Sequence, residues 1–500
     1  MSQSLNKNII LCLTDGIGIS SAWQGNVLNM GKSNIIGRFL KEYPSELLKT
    51  DIEGITKIGN QLDTNSSYQR IFTGKNVLPS YDRINKSISD SSHYHDLFEM
   101  PIKHHSSLHL VGTLSADNFY GSQKHLEEIL KQAKGRGIFN LNIHLLIDNS
   151  FKTKEELLSK LQELENFTTK IKLGRVVTIA GRDNLHQDIN LKYFKALLAC
   201  FVGGKTNKSL SPEQIINLSD KKDGFSKLAP TSIVEDGYQK GRISGYDTVL
   251  FFDYNNDDYD YLINKLVFGS GLFGLKIPKS LNIFTLSTSK VDKIKSIFPA
   301  ENKKDIFDQI SRDNKIALIS EISRYAYLKP FTENNKIDPT FIDYENNENN
   351  FYLKLLSDLK SKSEKYELTI LVIPTLDNAV ISDSMEKTIK SLNLYYQFLE
   401  DVEKYILEKD LLFILTSSYG RINNLNNKRD NLILPNFDPV PFIVLSKYKS
   451  ESANLQTEPE NSIASNYLNL KHDILDVAPT LLQMFGLDIP DNLTGTSLLN

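Results

Sequence analysis

The position with the clearest chemical meaning is a carboxylate at the end of an apolar run. Asn8-Ile9-Ile10-Leu11-Cys12-Leu13-Thr14 carries no charge and stops at Asp15-Gly16-Ile17-Gly18. Such a run reads as a buried parallel strand that delivers Asp15 to the carboxyl edge of a sheet, where open α/β folds place their ligands. A metal or phosphate site is the chemistry this suggests, and an aspartate that merely caps the following turn is the plain alternative. Hard divalent ions want carboxylates and imidazoles at fixed positions, so the histidines matter. Eight of the nine lie between His93 and His186, and His472 stands near the C-terminus. None follows an apolar run between 368 and 445. The pairs His93/His95 and His104/His105 have a spacing that could hold a metal, but their polar surroundings read as a solvated loop.

The elements that would position Asp15 and its partners are short apolar, β-branched runs: Leu108–Leu114, Leu141–Ile147, Val176–Ile179, Val249–Phe252, Leu281–Leu286, Leu368–Ile373, Leu411–Leu415 and Val440–Leu445. Helical patterns separate them, for example Lys124–Lys134 ahead of Gly135 and Gly137, and Lys154–Glu165 with leucines at helical spacing. This alternation predicts βαβ units and an α/β fold with mainly parallel sheets. Asn76–His109 is polar and reads as punctuation between two α/β stretches. The Asn- and Glu-rich run Thr332–Asn350 reads as a solvated loop. A break near Ser287–Asp292 closes the middle series of strands. The pattern is one α/β domain interrupted by another, with boundaries at 1–79, 80–290 and 291–500.

Bulk composition narrows the partners. The 500 residues suffice for two or more domains. Lys and Arg total 58 against 61 Asp and Glu, so no basic excess exists to release counterions from a nucleic acid. Cys12 and Cys200, the only cysteines, make neither a disulfide framework nor a zinc cluster, which favours a reducing compartment. Met1–Lys7 has no secretory apolar segment, and no apolar stretch approaches the roughly 18 residues of a membrane span. The expectation is a cytoplasmic protein with neither nucleic acid nor membrane as partner.

Several segments together resemble the cofactor-independent phosphoglycerate mutases of the alkaline-phosphatase superfamily. Asp15-Gly16-Ile17-Gly18 is similar to that family's opening Asp-Gly motif, and Asn65-Ser66 with Gly74 to its nucleophile segment. Leu108–Ser115, Val177–Arg182 and Phe251-Phe252-Asp253-Tyr254 resemble strand ends of its inserted transferase domain. Glu321-Ile322-Ser323-Arg324-Tyr325-Ala326 resembles its Glu-Thr-Glu-Lys-Tyr-Ala segment, and Asp377–Ser391 its Asp-x-x-x-His helix start. Asp476-Val477-Ala478-Pro479-Thr480-Leu481-Leu482, Met484-Phe485-Gly486-Leu487 and Thr494-Gly495-Thr496-Ser497-Leu498 are close to its C-terminal signature. The resemblance implies an alkaline-phosphatase-like core, built from both ends of the chain, around a transferase-like insert.

The family reaction moves a phosphoryl group through a phosphoserine with two manganese ions. Carried over residue by residue, the resemblance puts Ser66 at the nucleophile position, with Thr64 and Ser67 close enough to exchange roles with it. Asp15 and Asp377 stand as remnant metal ligands. Ile381, Ser418, Tyr419 and Pro435 stand where other ligands would be, four of seven positions. Arg324 replaces a catalytic-site lysine and Tyr120 a histidine. Arg182 is the kept substrate-binding arginine, whereas an arginine pair falls on Asn255 and Asp258, and Gly-Arg-Asp falls on Asn149, Ser150 and Phe151. Phosphoglycerate is strongly anionic and calls for arginine forks, so both half-sites are weakened together.

The function this implies is a degenerate mutase that has lost or strongly reduced metal-dependent phosphoryl transfer, holds no divalent metal or only a weak one, and acts as a binding or scaffolding protein. Its expected small-molecule partner is a phosphorylated metabolite. An active mutase that uses two manganese ions is the alternative, and a phosphoester hydrolase of the same superfamily the second.

Overall fold

The computed structural model describes residues 8–499 apart from 20–26, 30–32, 53–63, 119, 186–190, 205, 218–223, 236, 255–258, 269–273, 290, 292–293, 300–303, 334, 344–347, 378–384, 421–437 and 448–469. The chain divides into two compact units. Met1–Lys57, Gln61–Pro79 and Asn302–Asn500 form a core unit from both chain ends, and Ser80–Glu301 forms most of the inserted unit. The inserted unit runs past residue 290 because a short strand at Lys295–Ser296 still pairs within its sheet.

In chain order the strands are β1 (Ile9–Thr14) and β2 (Ser45–Leu48), then β3 (Leu108–Leu114), β4 (Leu141–Ile147), β5 (Arg175–Gly181), β6 (Asn207–Ser209), β7 (Thr231–Glu235), β8 (Tyr238–Gln239), β9 (Thr248–Phe251), β10 (Asn282–Thr285) and β11 (Lys295–Ser296). The core unit resumes with β12 (Ile316–Glu321), β13 (Ile337–Ile342), β14 (Leu368–Ile373), β15 (Leu412–Thr416) and β16 (Val440–Leu445). Its seven-stranded sheet has the order β13-β12-β14-β1-β15-β16-β2. The first five strands are mutually parallel, and β16 and β2 close one edge in antiparallel pairings. Both faces are covered. Ile10 and Cys12 of β1 enter one apolar cluster while Ile9, Leu11 and Leu13 enter another, the period-two alternation of a strand sandwiched between helix layers.

The inserted unit repeats the logic. Its sheet runs β11-β10-β9-β3-β4-β5-β7-β6, with β8 hydrogen-bonded to β7, and is parallel from β11 through β5.

Two stretches read as loops are ordered elements. The polar run before β3 forms helices at Ser80–Ser87 and His95–His104, anchored by buried Ile84, Tyr94, Leu97 and Phe98 at helical spacing. Within Thr332–Asn350, Ile337–Ile342 is the parallel edge strand β13, in register with β12 from Ile316↔Ile337 to Glu321↔Ile342. Pro339 is tolerated there because an edge strand leaves one side of its backbone unpaired.

Candidate functional site

Parallel strands end on the same side of a sheet, so β12, β14, β1 and β15 deliver their following residues to one edge. Arg324 follows β12, Asp377 follows β14, Asp15 follows β1, and Ser418 and Tyr419 follow β15. Beyond the strands, a parallel bridge between Gly16 and Gly420 keeps β1 and β15 together, and Gly16 turns there with φ of 92°, a conformation that favours glycine. A bond from the Ile17 amide to Ser417 Oγ (3.2 Å) braces the same turn.

These residues form one buried network. Arg324 Nε donates to Asp15 Oδ2 at 2.8 Å, and Arg324 Nη2 donates to Asp377 Oδ2 at 3.1 Å. Ser418 Oγ donates to Asp15 Oδ1 at 2.5 Å, and the Tyr68 hydroxyl to Asp15 Oδ2 at 2.6 Å. The Tyr419 hydroxyl donates to Asp377 Oδ2 at 3.1 Å. That spends the phenol's proton, so Thr64 Oγ1, 3.2 Å from the Tyr419 oxygen, is the donor in their pair. Asp15, Ser418 and Tyr419 have no exposed surface, and Asp377 and Arg324 very little.

Burial pushes the Asp15 carboxyl up; Arg324 draws it down, Asp377 pushes it up again, and the hydroxyls of Ser418 and Tyr68 favour its charged form. For Arg324, burial opposes the charge, but Asp15, with Tyr68, Tyr419 and Asp377, holds its pKa well above the ordinary value. The guanidinium therefore stays a cation, fixed between two carboxylates.

The structure thus brings Asp15, Asp377, Arg324, Ser418 and Tyr419 together. Ser66 is buried in the first turn of the helix Thr64–Thr73. From that turn it is Thr64 whose hydroxyl reaches Tyr419. Ile381 and Pro435 lie outside the described residues. Tyr68 was not singled out in the sequence. Its signal is helical spacing, since Thr64 and Tyr68 stand four residues apart on one face.

The metal pair implied by the resemblance does not suit these side chains. Two carboxylates face a resident guanidinium, and the hydroxyls of Ser418 and Tyr419 donate protons toward those carboxylates instead of offering lone pairs to an ion. The core unit contains a single histidine, His472, whose Nδ1 is 3.1 Å from Asp476 Oδ2 near the C-terminal helix. Among the described residues no group of three His, Cys, Asp or Glu side chains is arranged to hold an ion. The histidine pairs at 93/95 and 104/105 sit in and beside the helix His95–His104, not in a loop; there His104 stacks on Tyr246 with centroids 5.0 Å apart.

In the inserted unit Arg182 is also committed internally. Its Nη1 donates to Asp253 Oδ2 and to Thr113 Oγ1, both at 3.1 Å, and its guanidinium carbon lies 3.6 Å from the centroid of the Tyr120 ring. Asp253 further accepts the Thr113 amide and hydroxyl, each at 2.6 Å. Burial pushes the Asp253 carboxyl up, and Arg182 draws it back. Beside it, Ser115 and Ser150 both donate to Asp148, whose carboxyl burial pushes up to about 6. Asn149 bonds Ser226, and Phe151 packs into the core. Among the described residues this strand-end edge sets hydroxyls and carboxylates around the paired Arg182. Asn255 and Asp258 lie outside the described residues.

Residues 83–288 match the family model described as the N-terminus of the BPG-independent phosphoglycerate mutases. Over 99% of this chain and 99% of theirs, the 2,3-bisphosphoglycerate-independent phosphoglycerate mutases of Clostridium botulinum and Acetivibrio thermocellus are 24% and 23% identical to it. The chain is a relative of the cofactor-independent phosphoglycerate mutases. A crystal structure of the Leishmania mexicana phosphoglycerate mutase, determined at low cobalt concentration, superposes with a TM-score of 0.77 over 98% of this chain and 97% of that one, at 14% identity. This mutase relative therefore shares the fold along its whole length. Among its described residues no helix is long and apolar enough to cross a membrane.

Proposed function

We propose that this mutase relative has given up metal-dependent phosphoryl transfer and serves as a binding or scaffolding protein. Its function is phosphoglycerate-mutase-like by kinship, and kinship alone supports equally well an active enzyme interconverting 2- and 3-phosphoglycerate. Kinship is likewise compatible with a divalent metal. The observation that favours the non-catalytic reading is the Arg324 guanidinium held between Asp15 and Asp377. A serine hydroxyl is a weak nucleophile at its free pKa and needs a metal ion or a base beside it. In this site the two carboxylates that could hold such an ion or act as the base are already paired with Arg324. On the substrate side, Arg182 is spent on Asp253, so a phosphoglycerate of about three negative charges finds little compensation there.

The test measures manganese bound to the purified protein by elemental analysis, 3-phosphoglycerate turnover in a coupled assay, and growth of a mutase-deficient strain carrying the gene. The expected result is negligible metal, no turnover and no growth despite soluble expression. Family-like values for metal and turnover would reverse the proposal in favour of the active mutase. Turnover of other phosphoesters with added divalent ions, abolished by Ser66→Ala, would instead support a hydrolase.

A further inference from the structure

We propose that the amino edge of the inserted sheet is a docking surface for an acidic protein segment that carries apolar side chains among its carboxylates. Arg182 and Asp253 follow β5 and β9 at the opposite edge of that sheet, so the surface stands whether or not the protein transfers phosphate.

Five parallel strands enter this edge side by side in the order β10-β9-β3-β4-β5, a row roughly 19 Å wide at about 4.8 Å between neighbours. The segments leading into them, 274–281, 240–247, 105–107, 136–140 and 172–174, contain one carboxylate, Asp247. It is buried and already engaged: it accepts the amides of Ser107 at 2.8 Å and Ser244 at 2.6 Å, and lies 3.2 Å from His109 Nε2. Lys279, Arg136, Lys172 and, at the start of β5, Arg175 are exposed, and none of the four has a carboxylate partner among the described residues. Between these cations stand apolar rings. Phe139 is 69% exposed and Tyr246 51%; Tyr246 stacks on His104, and Phe139 lies 6.3 Å from the His105 ring between centroids. The Tyr246 ring is held in place. The Asp247 amide closes a turn on the Ser244 carbonyl at 3.2 Å, and Tyr246 occupies its third position with φ of 69°, where glycine is usual. Such a conformation persists in a bulky residue only where its surroundings enforce it, and Ser106 Oγ donates to the Tyr246 carbonyl at 2.8 Å. Phe139, Lys172 and Arg175 line one groove of about 350 Å³. A partner that suits both features brings carboxylates to the unpaired cations and apolar side chains to the rings, and about six residues of extended chain span the row. A nucleic acid suits them less well, because its hold depends on releasing counterions along a run of phosphates and this chain has a net charge of -3.

The experiment reads binding to the full-length protein by fluorescence anisotropy, with a fluorescein-labelled peptide that alternates glutamate with phenylalanine and leucine. Comparators of equal length are a peptide with lysine for glutamate, a peptide with serine for the apolar residues, and an oligouridine RNA. The wild type is expected to bind the acidic, apolar peptide at least ~10-fold more tightly than any comparator. Arg136→Glu with Arg175→Glu should weaken that binding at least ~10-fold, by setting like charges against each other. Phe139→Ser with Tyr246→Gly should weaken it as much, and glycine keeps the turn because it accepts the positive φ. Lys390→Glu with Lys471→Glu makes the same charge change on exposed residues of the core unit and should leave binding unchanged. The proposal is overturned if the wild type shows no preference for the acidic, apolar peptide, or if either edge variant, shown by circular dichroism to be folded, binds it as the wild type does. Should one edge variant not fold, the other decides. Oligouridine binding as tightly as the peptide, and lost with the same variants, would also overturn it and make the surface a nucleic-acid site.

Discussion

Acidification should weaken the inserted unit through His125, by an amount that can be worked out. His125 lies in the first turn of the helix Gln123–Gly135, with 1% of its surface exposed. Its ring stacks on Tyr81 with centroids 4.9 Å apart, Nδ1 is 2.7 Å from the Tyr254 hydroxyl, and Nε2 is 3.3 Å from Asn85 Oδ1. Burial holds the Tyr254 phenol well above its ordinary range, so the phenol keeps its proton and donates to Nδ1, which fixes the Nε2–H tautomer. A second proton on the ring would take away the acceptor at Nδ1 and force the phenol to turn its own proton elsewhere. Burial, with the nearby charge of Lys124, pushes the imidazole from 6.5 down to about 4. A depressed folded value means that the unfolded chain binds the extra proton first. The contribution is intact above pH 6.5 and is lost as pH falls through about 4. The difference of about 2.5 between these values corresponds to about 3 kcal/mol. Other groups move in the same window. His144 is depressed too, by burial and by His109, and adds in the same sense. Asp148 opposes: its folded value, raised from 3.8 to about 6, stabilises below the unfolded value and loses that contribution as pH rises through about 6. The quantity to measure is therefore a difference. Urea unfolding of the wild type and of His125→Phe is followed across pH 6.5 to 4, and the gap between their unfolding free energies should shrink or reverse by about 3 kcal/mol. A gap that stays constant across that window would show that His125 is not held neutral by its surroundings, and the argument would be wrong.

Two further substitutions probe how the core unit holds its C-terminal segment. Asp473→Asn should destabilise it by about 3–5 kcal/mol in urea unfolding, because Arg70 is buried at 1% exposure with Nη2 3.0 Å from the Asp473 carboxylate and would keep its charge without that partner. Gly495→Ala should cost at least about 1–3 kcal/mol, since a Cβ there would lie 2.1 Å from the Leu475 carbonyl oxygen, a backbone atom that cannot swing aside; an unchanged melting temperature would mean the segment docks differently.

Much of the fold was readable because its central strands are buried on both faces. Leu108–Leu114, Leu141–Ile147, Leu368–Ile373 and Val440–Leu445 are mostly apolar, with few polar residues among them, and are observed with those bounds. The edge strands were not readable. Ser45–Leu48 and Ile337–Ile342 are partly exposed and carry Glu46, Asp338 and Pro339, so they lack both the apolar run and a clean alternation. The helices between Ser80 and His104 were hidden for a related reason. Ser80–Ser87 has only Tyr81 and Ile84 as apolar residues and His95–His104 carries Pro101 inside it, so local sequence argues weakly for helix, and packing of their apolar residues into the core of the inserted unit supports them.

The candidate site was legible as a set of positions and not as an arrangement. Asp15, Asp377, Arg324, Ser418 and Tyr419 each follow a strand, and parallel order alone places them on one edge. That Arg324 would reach both aspartates, 309 and 53 residues away along the chain, depends on side-chain direction and burial, which no motif encodes. The arrangement also changes what the substitutions mean. Losing ligands from a metal site without compensation would leave buried carboxylates facing no donor, at a cost of several kcal/mol for each ion. Here Ser418 donates to Asp15 and Tyr419 to Asp377, from the very positions where the resemblance expects ligands, while Arg324 joins the two aspartates. Tyr68 and Thr64 extend the same network from the neighbouring helix. Substitutions that fit one another in charge, hydrogen-bond direction and reach are what a rebuilt buried polar hub requires, since a partly satisfied one destabilises its fold. Through these bonds the edge joins the residues that follow β12, β14, β1 and β15.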